Sequence, residues 1–202
     1  PDYSLYGIKD VAYGFLTRGC PNNCPFCIVS HKEGRFSYKV ADLRQFYNRQ
    51  KVIKLLDPNI LAYKEHIELL QQLIDSKAKV DFTQGLDARL INEENARVLG
   101  DVRKVNVHFA FDLMKNEQQI IKGLELYSKY NDETDREKTV YILTNYNTSF
   151  EEDWYRIEKV RELGYAPYVM IYRRENAPKF TRYLQRWCNN RFIYRSTDFK
   201  DY

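Results

Sequence analysis

The chain has 202 residues, 44% of them hydrophobic and 15% aromatic, which is typical of a globular domain and excludes a disordered chain. The net charge of +4 is mild, so it neither requires nor excludes a nucleic-acid partner. No apolar run approaches the length needed to cross a bilayer, so we expect no membrane segment.

The start of the chain points to a longer protein. The sequence begins with Pro1 rather than Met, and we expect residues 1–10 to be a linker or extension left by truncation or processing. Residues 11–202 are long enough to form one domain.

A short stretch near the start of this domain carries three of the four cysteines. Residues 17–27 read T-R-G-C-P-N-N-C-P-F-C, and an apolar run at residues 11–16, predicted to be a strand, leads into them. The spacing C-x3-C-x2-C brings Cys20, Cys24 and Cys27 into one tight loop. Three thiolates can hold three irons of a cubane and leave the fourth iron without a protein ligand, so the pattern favours an iron–sulfur site.

Two other uses of these cysteines are open. A zinc site needs four ligands, usually as two pairs, and the nearest candidates for a fourth ligand are His31 and the distant Cys188. A disulfide framework is typical of small secreted chains with an even set of cysteines, whereas nothing in this larger chain looks secreted. The iron–sulfur interpretation fits best, and free thiols as ligands favour a reducing cytoplasm.

The cysteine stretch resembles the signature of the radical S-adenosylmethionine (SAM) enzymes, C-x3-C-x-Phe-C after a first strand. It is most similar to the branch that contains cobalamin-binding radical SAM proteins and methylthiotransferases. The resemblance implies that Cys20, Cys24 and Cys27 bind a [4Fe–4S] cluster, and that the amino and carboxylate groups of SAM chelate its open iron. It also implies that Phe26 packs beside the adenine, and that an oxygen-sensitive cluster receives its electron from a flavodoxin or ferredoxin.

Short apolar segments alternate with longer amphipathic ones, which predicts βαβ units around a parallel sheet. The predicted strands are residues 11–16, 52–56, 80–83, 105–111, 139–143 and 168–172. The predicted helices are residues 41–50, 61–77, 92–100, 117–130, 149–164 and 179–188, and residues 30–38 are predicted to be a solvated loop. Together with the resemblance, which covers nearly the whole chain, this implies a partial (β/α)6 TIM-like barrel of the radical SAM type over residues 11–202, with a C-terminal helix and tail. The active site is then expected at the carboxyl ends of the strands.

Polar residues follow the second predicted strand, where radical SAM proteins often carry a glycine-rich segment that contacts the SAM amino group. This chain has Asp57 and Asn59 there instead, which resembles the acidic loop of the cobalamin-type branch. The resemblance implies that both residues bind the SAM amino group. A simple turn is the alternative, because Asp, Pro and Asn are common turn residues.

The third predicted strand continues into Q-G-L-D-A-R at residues 84–89, a second segment similar to one in related radical SAM proteins. The resemblance implies that Arg89 binds the SAM carboxylate, since a guanidinium matches a carboxylate with two hydrogen bonds. The alternative is that Arg89 pairs with Asp87 or another neighbour.

Three further polar residues lie on or after later strands. Asp112 ends the fourth predicted strand and would bind a ribose hydroxyl of SAM. His108 lies deeper on the same face, either as a satisfied interior group or as a substrate ligand. Asn145 follows the fifth strand, where the family often has a glycine–proline segment against the adenosine, so its position suggests a SAM contact.

The function that these features predict is [4Fe–4S]-dependent reductive cleavage of SAM to a 5′-deoxyadenosyl radical that acts on an unknown substrate, with the catalytic residues unknown. A methylase or methylthiotransferase is an alternative that would need a domain or cysteines beyond these residues. A non-catalytic metal-containing module that binds nucleic acid is another, since the tail carries basic residues. These are Arg186, Arg191, Arg195 and Lys200.

Overall fold

The computed structural model describes residues 6–202, so the first half of the predicted extension lies outside the described residues. The described strands are β1 Val11–Gly14, β2 Thr17–Arg18, β3 Tyr38–Lys39, β4 Val52–Leu55, β5 Lys79–Phe82, β6 Lys104–Ala110, β7 Lys138–Thr144 and β8 Ala166–Ile171. The described α-helices are α1 Val29–Glu33, α2 His66–Ser76, α3 Glu93–Asp101, α4 Glu117–Tyr130, α5 Phe150–Glu162, α6 Lys179–Asn189 and α7 Arg191–Ser196. Within residues 6–202, no helix combines the length and the apolar character needed to cross a membrane.

Six of the strands form one parallel sheet in the order β1-β4-β5-β6-β7-β8. Each new strand is therefore added beside the previous one, and the order never reverses. Helices α2 to α6 connect or follow these strands, so the fold is an α/β sheet flanked by helices, as the alternating pattern predicted.

The core lies between the sheet and the helices. Each strand of the sheet contributes a fully buried side chain to it: Ala12, Ile53, Val80, Val107, Val140 and Val169. The helices contribute Leu70, Leu99, Leu124, Ile157 and Leu184, also fully buried. Because side chains alternate along a strand, the neighbours of these strand residues point to the opposite face of the sheet.

The outer edge of β8 is closed by side chains of α6. Asn189 Oδ1 accepts a hydrogen bond from Val169 N at 2.8 Å, and Asn189 Nδ2 donates to Val169 O at 2.9 Å. Gln185 Nε2 donates to the same carbonyl at 3.2 Å. These bonds occupy the two backbone groups of Val169 that a further strand would use, so this part of the edge is covered.

Some predicted elements were wrong or incomplete. The predicted helix at residues 41–50 is only a 3-10 turn at Leu43–Gln45, capped by Asp42, and Arg49 has a left-handed backbone with φ 58° that no helix tolerates. The predicted loop at residues 30–38 contains α1 and the start of β3. The predicted helix at residues 61–77 begins later, at His66, after a separate 3-10 turn.

Candidate functional site

A cavity opens at the carboxyl ends of β4, β5 and β6, beside the cysteine loop. Its volume is about 210 Å³, far more than a single water or ion requires, so it suits a small-molecule ligand. The predicted site residues that line it are Cys20, Cys24, Phe26, Cys27, Asn59, Arg89 and Asp112. Asp57 and Asn145 are predicted site residues that do not line this cavity.

The cysteine loop, residues 19–27, is braced by the segment that follows it. Glu33 at the end of α1 accepts a hydrogen bond from Gly19 N at 3.1 Å and pairs with Arg18 at 2.8 Å. Gly19 has φ 81°, and a Cβ there would lie 2.2 Å from the carbonyl oxygen of Phe36. Only glycine fits both the backbone conformation and the space, so this residue fixes how the chain enters the loop.

Asp57 supports the cysteine loop from behind. Its side chain, 4% exposed, accepts hydrogen bonds from Leu16 N at 3.1 Å and from Thr17 Oγ1 at 2.7 Å, together with one from Thr17 N. Burial raises the pKa of Asp57 to about 6, although these hydrogen bonds act in the opposite direction. Asp57, for which the sequence predicted a contact with the SAM amino group, connects the segment after β4 to the residues that lead into the cysteine loop.

Asp87 is the centre of a hydrogen-bonded network on the cavity wall. It accepts two bonds from Arg89, from Nε at 2.8 Å and Nη2 at 2.7 Å, and further bonds from Asn22 at 2.8 Å and Asn59 at 3.1 Å. Burial alone would raise the pKa of Asp87, but the hydrogen bonds from Arg89 and Asn22 hold it below its ordinary value. The network joins the cysteine loop to the segments after β4 and β5.

Arg89 forms an ion pair with Asp87, which was the alternative to its binding the SAM carboxylate. Arg89 also lines the cavity. The pair uses Nε and Nη2, so Nη1 is the guanidinium nitrogen left for a ligand. Burial raises the pKa of the Cys24 thiol, the charge of Arg89 lowers it, and Cys20 and Cys27 raise it further. The three thiols and the guanidinium are therefore close enough to influence one another electrostatically.

Asn59 has one satisfied and one unsatisfied side-chain group. Its Nδ2 donates to Asp87 and approaches Cys20 Sγ at 3.7 Å. Its Oδ1 is buried and has no hydrogen-bond partner among residues 6–202. An unpaired buried acceptor is uncommon in a folded protein, so Asn59 Oδ1 is a candidate to receive a donor from a ligand in the cavity.

Asp112 is held in the cavity wall by a buried arginine that the sequence analysis missed. Arg156 of α5 is fully buried and donates to the backbone oxygens of Phe111 at 2.7 Å, Asp112 at 3.1 Å and Leu143 at 2.9 Å. Asp112 Oδ1 in turn accepts a bond from Leu143 N at 3.0 Å. Arg156 therefore joins the carboxyl ends of β6 and β7.

A chain of three aromatic rings begins at Phe26 in the cavity wall. Phe26 meets Tyr146 edge-on at 5.2 Å between ring centres, and Tyr146 meets Tyr172 at 4.9 Å. Asn145, proposed from its position as a SAM contact, has a left-handed backbone with φ 62° and donates to Tyr172 O at 2.8 Å. Its side chain thus joins the ends of β7 and β8, and its neighbour Tyr146 is the residue that reaches toward the cysteine loop.

The sequence signals for Arg156, Asp87 and Tyr146 were unequal. Arg156 falls at a core position of α5, next to Ile157 and one turn before Val160, where a charged residue is unexpected. Asp87 belonged to the Q-G-L-D-A-R segment. Tyr146 had no signal beyond its place after a strand.

No three His, Cys, Asp or Glu side chains of the described chain converge as the ligands of a single metal ion. Cys188 lies in the core, where its thiol donates to Pro167 O at 3.6 Å. It is separate from the three cavity cysteines.

The comparisons with known proteins give one partial similarity. The chain is 30% identical over 149 residues to tRNA-2-methylthio-N(6)-dimethylallyladenosine synthase of Alkaliphilus oremlandii. The match covers 64% of this chain but only 30% of that protein, so the chain spans under a third of the relative it matches. No protein-family model matches the chain.

Proposed function

We propose that the chain is a radical SAM enzyme, with Cys20, Cys24 and Cys27 as the ligands of a [4Fe–4S] cluster. The observation that carries the proposal is that the three thiols, Asn59 and Arg89 line one cavity at the carboxyl ends of the strands. The partial similarity to a tRNA methylthiotransferase, a radical SAM protein, supports it independently.

The thiols fit a cluster better than a single ion. Each thiolate of a cubane binds a different iron, so the three sulfur atoms do not need to converge on one point. All three line the cavity from the same loop. Gly19, Glu33 and Asp57 hold this loop in place. When bound, the cluster would supply the electron for reductive cleavage of SAM.

The remaining cavity residues fit the polar groups of SAM. Asn59 Oδ1, buried and unpaired within the described chain, would accept from the amino group, and Arg89 Nη1 would donate to the carboxylate. Asp112 would bind a ribose hydroxyl, and Phe26 would pack beside the adenine. Together these residues would orient the sulfonium toward the cysteine loop and exclude water from it.

The strand order supports our proposal that the sheet and its helices form a partial (β/α)6 barrel. A doubly wound sheet reverses its strand order in the middle and places helices on both faces. Here the order is strictly sequential, and right-handed crossovers in a sequential sheet put all the helices on one face. The other face would then line the interior of the barrel.

The test is anaerobic. The protein is reconstituted with iron and sulfide, reduced with dithionite and incubated with SAM, and 5′-deoxyadenosine is measured. We expect product from the wild type and at least about a hundredfold less from Cys24→Ala, because the cluster loses a ligand. Cys188→Ala is the matched control, since it removes the cysteine buried in the core, and it should retain the activity.

Two results would contradict the proposal. One is a stable, brown protein after aerobic purification, because the exposed cluster edge should be oxygen-sensitive. The other is the same amount of product from Cys24→Ala and the wild type. A flavodoxin or ferredoxin of the cytoplasm would replace dithionite in the cell.

A second candidate is methylthio transfer to RNA, which only the name of the matched relative favours. That reaction would need thiols for a second cluster. The fourth cysteine of this chain, Cys188, is buried in the core and does not supply one. A methylthiotransferase role would therefore depend on residues beyond this sequence.

A further inference from the structure

On the face of the sheet turned away from the helices, polar or aromatic side chains of neighbouring strands form a row with one member from each strand. We call this set the inner row: Tyr13, Lys54, Asp81, His108, Tyr141 and Tyr168. Each member alternates along its strand with buried core residues, so its side chain points to the opposite face.

Neighbouring members of the inner row approach one another across the sheet. Lys54 Nζ lies 4.0 Å from Asp81 Oδ2, and His108 Nε2 lies 3.9 Å from Asp81 Oδ1. The His108 ring stacks on Tyr141 at 5.2 Å between ring centres with an angle of 12° between their planes. Tyr168 meets Tyr141 edge-on at 5.6 Å. The row is therefore one continuous surface and not a set of isolated side chains.

Two polar atoms of the row, one on Asp81 and one on His108, have no hydrogen-bond partner within the described residues. These atoms, Asp81 Oδ1 and His108 Nδ1, are both buried. Both ion-pair distances in the row, 3.9 and 4.0 Å, are too long for hydrogen bonds. Of the two roles that the sequence left open for His108, the unpaired Nδ1 favours the substrate ligand over the satisfied interior group. Both unpaired atoms are therefore available to form hydrogen bonds with a ligand that enters from the cavity.

The inner row lies directly below the candidate cavity. Ala110 lines that cavity, and His108 is two residues earlier on the same face, about 7 Å deeper. Ala110 is small and exposed, so it leaves the row accessible from the cavity. Parallel sheets are normally covered on both faces, yet Tyr168 is 43% exposed and Met170 36% exposed on this one.

The chemistry of the row restricts what can bind. The charges of Lys54 and Asp81 cancel. Burial lowers the pKa of His108 and the charge of Asp81 raises it, but burial is the larger effect, so the imidazole is neutral near pH 7. A neutral imidazole donates from one nitrogen and accepts at the other. An anionic ligand would meet Asp81 and a cationic one would meet Lys54. The rings of Tyr141 and Tyr168 offer stacking surfaces for a planar group.

We propose that the inner row binds a neutral planar ring whose edge carries a hydrogen-bond donor beside an acceptor, as an aromatic amide does. The proposal rests on the proposed function in one respect: the ring would belong to the substrate, held below the cavity that would hold SAM. Binding itself requires neither the cluster nor SAM.

The test follows the imidazole signals by NMR in the chain as purified, without added iron or SAM. The chain has three histidines, so the His108 signals are assigned by their loss in His108→Asn. The probe is benzamide, and the matched probes are benzoate and benzylamine, which have nearly the same shape but carry a negative or a positive charge. We expect benzamide to shift the His108 signals in a saturable way and to leave those of His31 and His66 in place.

Two variants locate the binding to the row. Asp81→Asn removes the charged acceptor and should weaken benzamide binding about tenfold, the effect of one lost hydrogen bond. Asp101→Asn changes an exposed aspartate at the end of α3 and should bind benzamide as the wild type does. If Asp81→Asn does not fold, Tyr168→Leu replaces it, because that change removes an exposed ring without touching the buried pair, and it too should weaken binding.

Several results would overturn the proposal: no shift of His108 at the solubility limit of benzamide, an equal response to benzoate or benzylamine, or unchanged binding in Asp81→Asn. His108 signals that move on dilution would indicate that a second copy of the chain covers the face, and this too would overturn it. Failure of the 5′-deoxyadenosine assay would not alter the titration, and failure of the titration would not alter that assay. The two proposals are therefore separable.

Discussion

Thr17 and Asp57 are 40 residues apart, yet Thr17 donates to the Asp57 carboxylate from both its backbone nitrogen and its Oγ1. Both side chains are buried. The contact connects β2, which leads into the cysteine loop, to the segment that follows β4. The position of the thiols thus depends on a residue that does not touch the cavity.

Asp57→Ala should lower the free energy of unfolding by about 3 kcal/mol, because it leaves buried donors of Leu16 and Thr17 without an acceptor. Urea denaturation measures the change, and the iron content after reconstitution should fall with it. Asp101→Ala, at an exposed position, should change stability by less than about 0.5 kcal/mol. An Asp57→Ala protein as stable as the wild type would show that these bonds contribute nothing.

Gly19→Ala should destabilise the protein by at least about 3 kcal/mol, since the left-handed backbone and the contact with Phe36 O both oppose a Cβ. Gly164→Ala is a matched control, because Gly164 also has a positive φ, 76°, but open space around it. It should cost only about 1 kcal/mol, the conformational part alone. Equal losses in thermal unfolding would mean that the space around Gly19 does not matter.

Arg156→Met should cost about 3 to 5 kcal/mol, because it leaves Asp153 as an unpaired buried charge and three backbone carbonyls at the strand ends without this donor. Arg161→Met on the same helix removes a side chain that is 53% exposed, and should cost less than about 1 kcal/mol. Chemical denaturation of both variants is the measurement. Similar small losses in the two would contradict the role of Arg156 in joining β6 to β7.

Asp112 should give the stability a defined pH dependence. Burial raises its pKa from an ordinary 3.8 to about 6, against the hydrogen bond from Leu143 and the charges of Arg156 and Arg89. The folded protein therefore favours the protonated carboxyl. This contribution is fully present below about pH 4 and is lost as the pH rises through 6.

Asp112→Asn has no ionisable group at this position, so it does not lose this contribution to stability as the pH rises. Its stability relative to the wild type should increase by about 2 kcal/mol between pH 4 and pH 7. Urea denaturation across this range measures the difference. The pH profile of Asp101→Asn should follow the wild type, and parallel profiles for Asp112→Asn and the wild type would disprove the shift.

Arg89→Gln should weaken binding of S-adenosylhomocysteine, which carries the same amino and carboxylate groups as SAM, by about tenfold or more. The guanidinium is the cation that we propose for the carboxylate. Arg97→Gln, which removes an arginine that is 63% exposed on α3, should bind normally. Calorimetry on the reconstituted protein measures both, and unchanged affinity in Arg89→Gln would remove this residue from the proposed site.

The sequence by itself determined the features that depend on near neighbours. The spacing of Cys20, Cys24 and Cys27 placed them in one loop, and the alternation of apolar segments predicted the parallel sheet, because both are properties of short stretches of chain. The S-x-x-E pattern at residues 149–152 is equally local, and Ser149 and Glu152 form the capping box that begins α5. The Q-G-L-D-A-R segment, which resembles one in related radical SAM proteins, predicted that Arg89 is a site residue.

Only the tertiary structure decided the contacts between distant segments. Asn22 reaches Asp87 across 65 residues, and Arg156 reaches Phe111 across 45, and no local pattern encodes such pairs. The same reason explains why Asp57 supports the loop and does not line the cavity. The inner row depends on strand register as well: a one-residue shift would turn His108 into the core, so the sheet as a whole brings it to Asp81 and Tyr141.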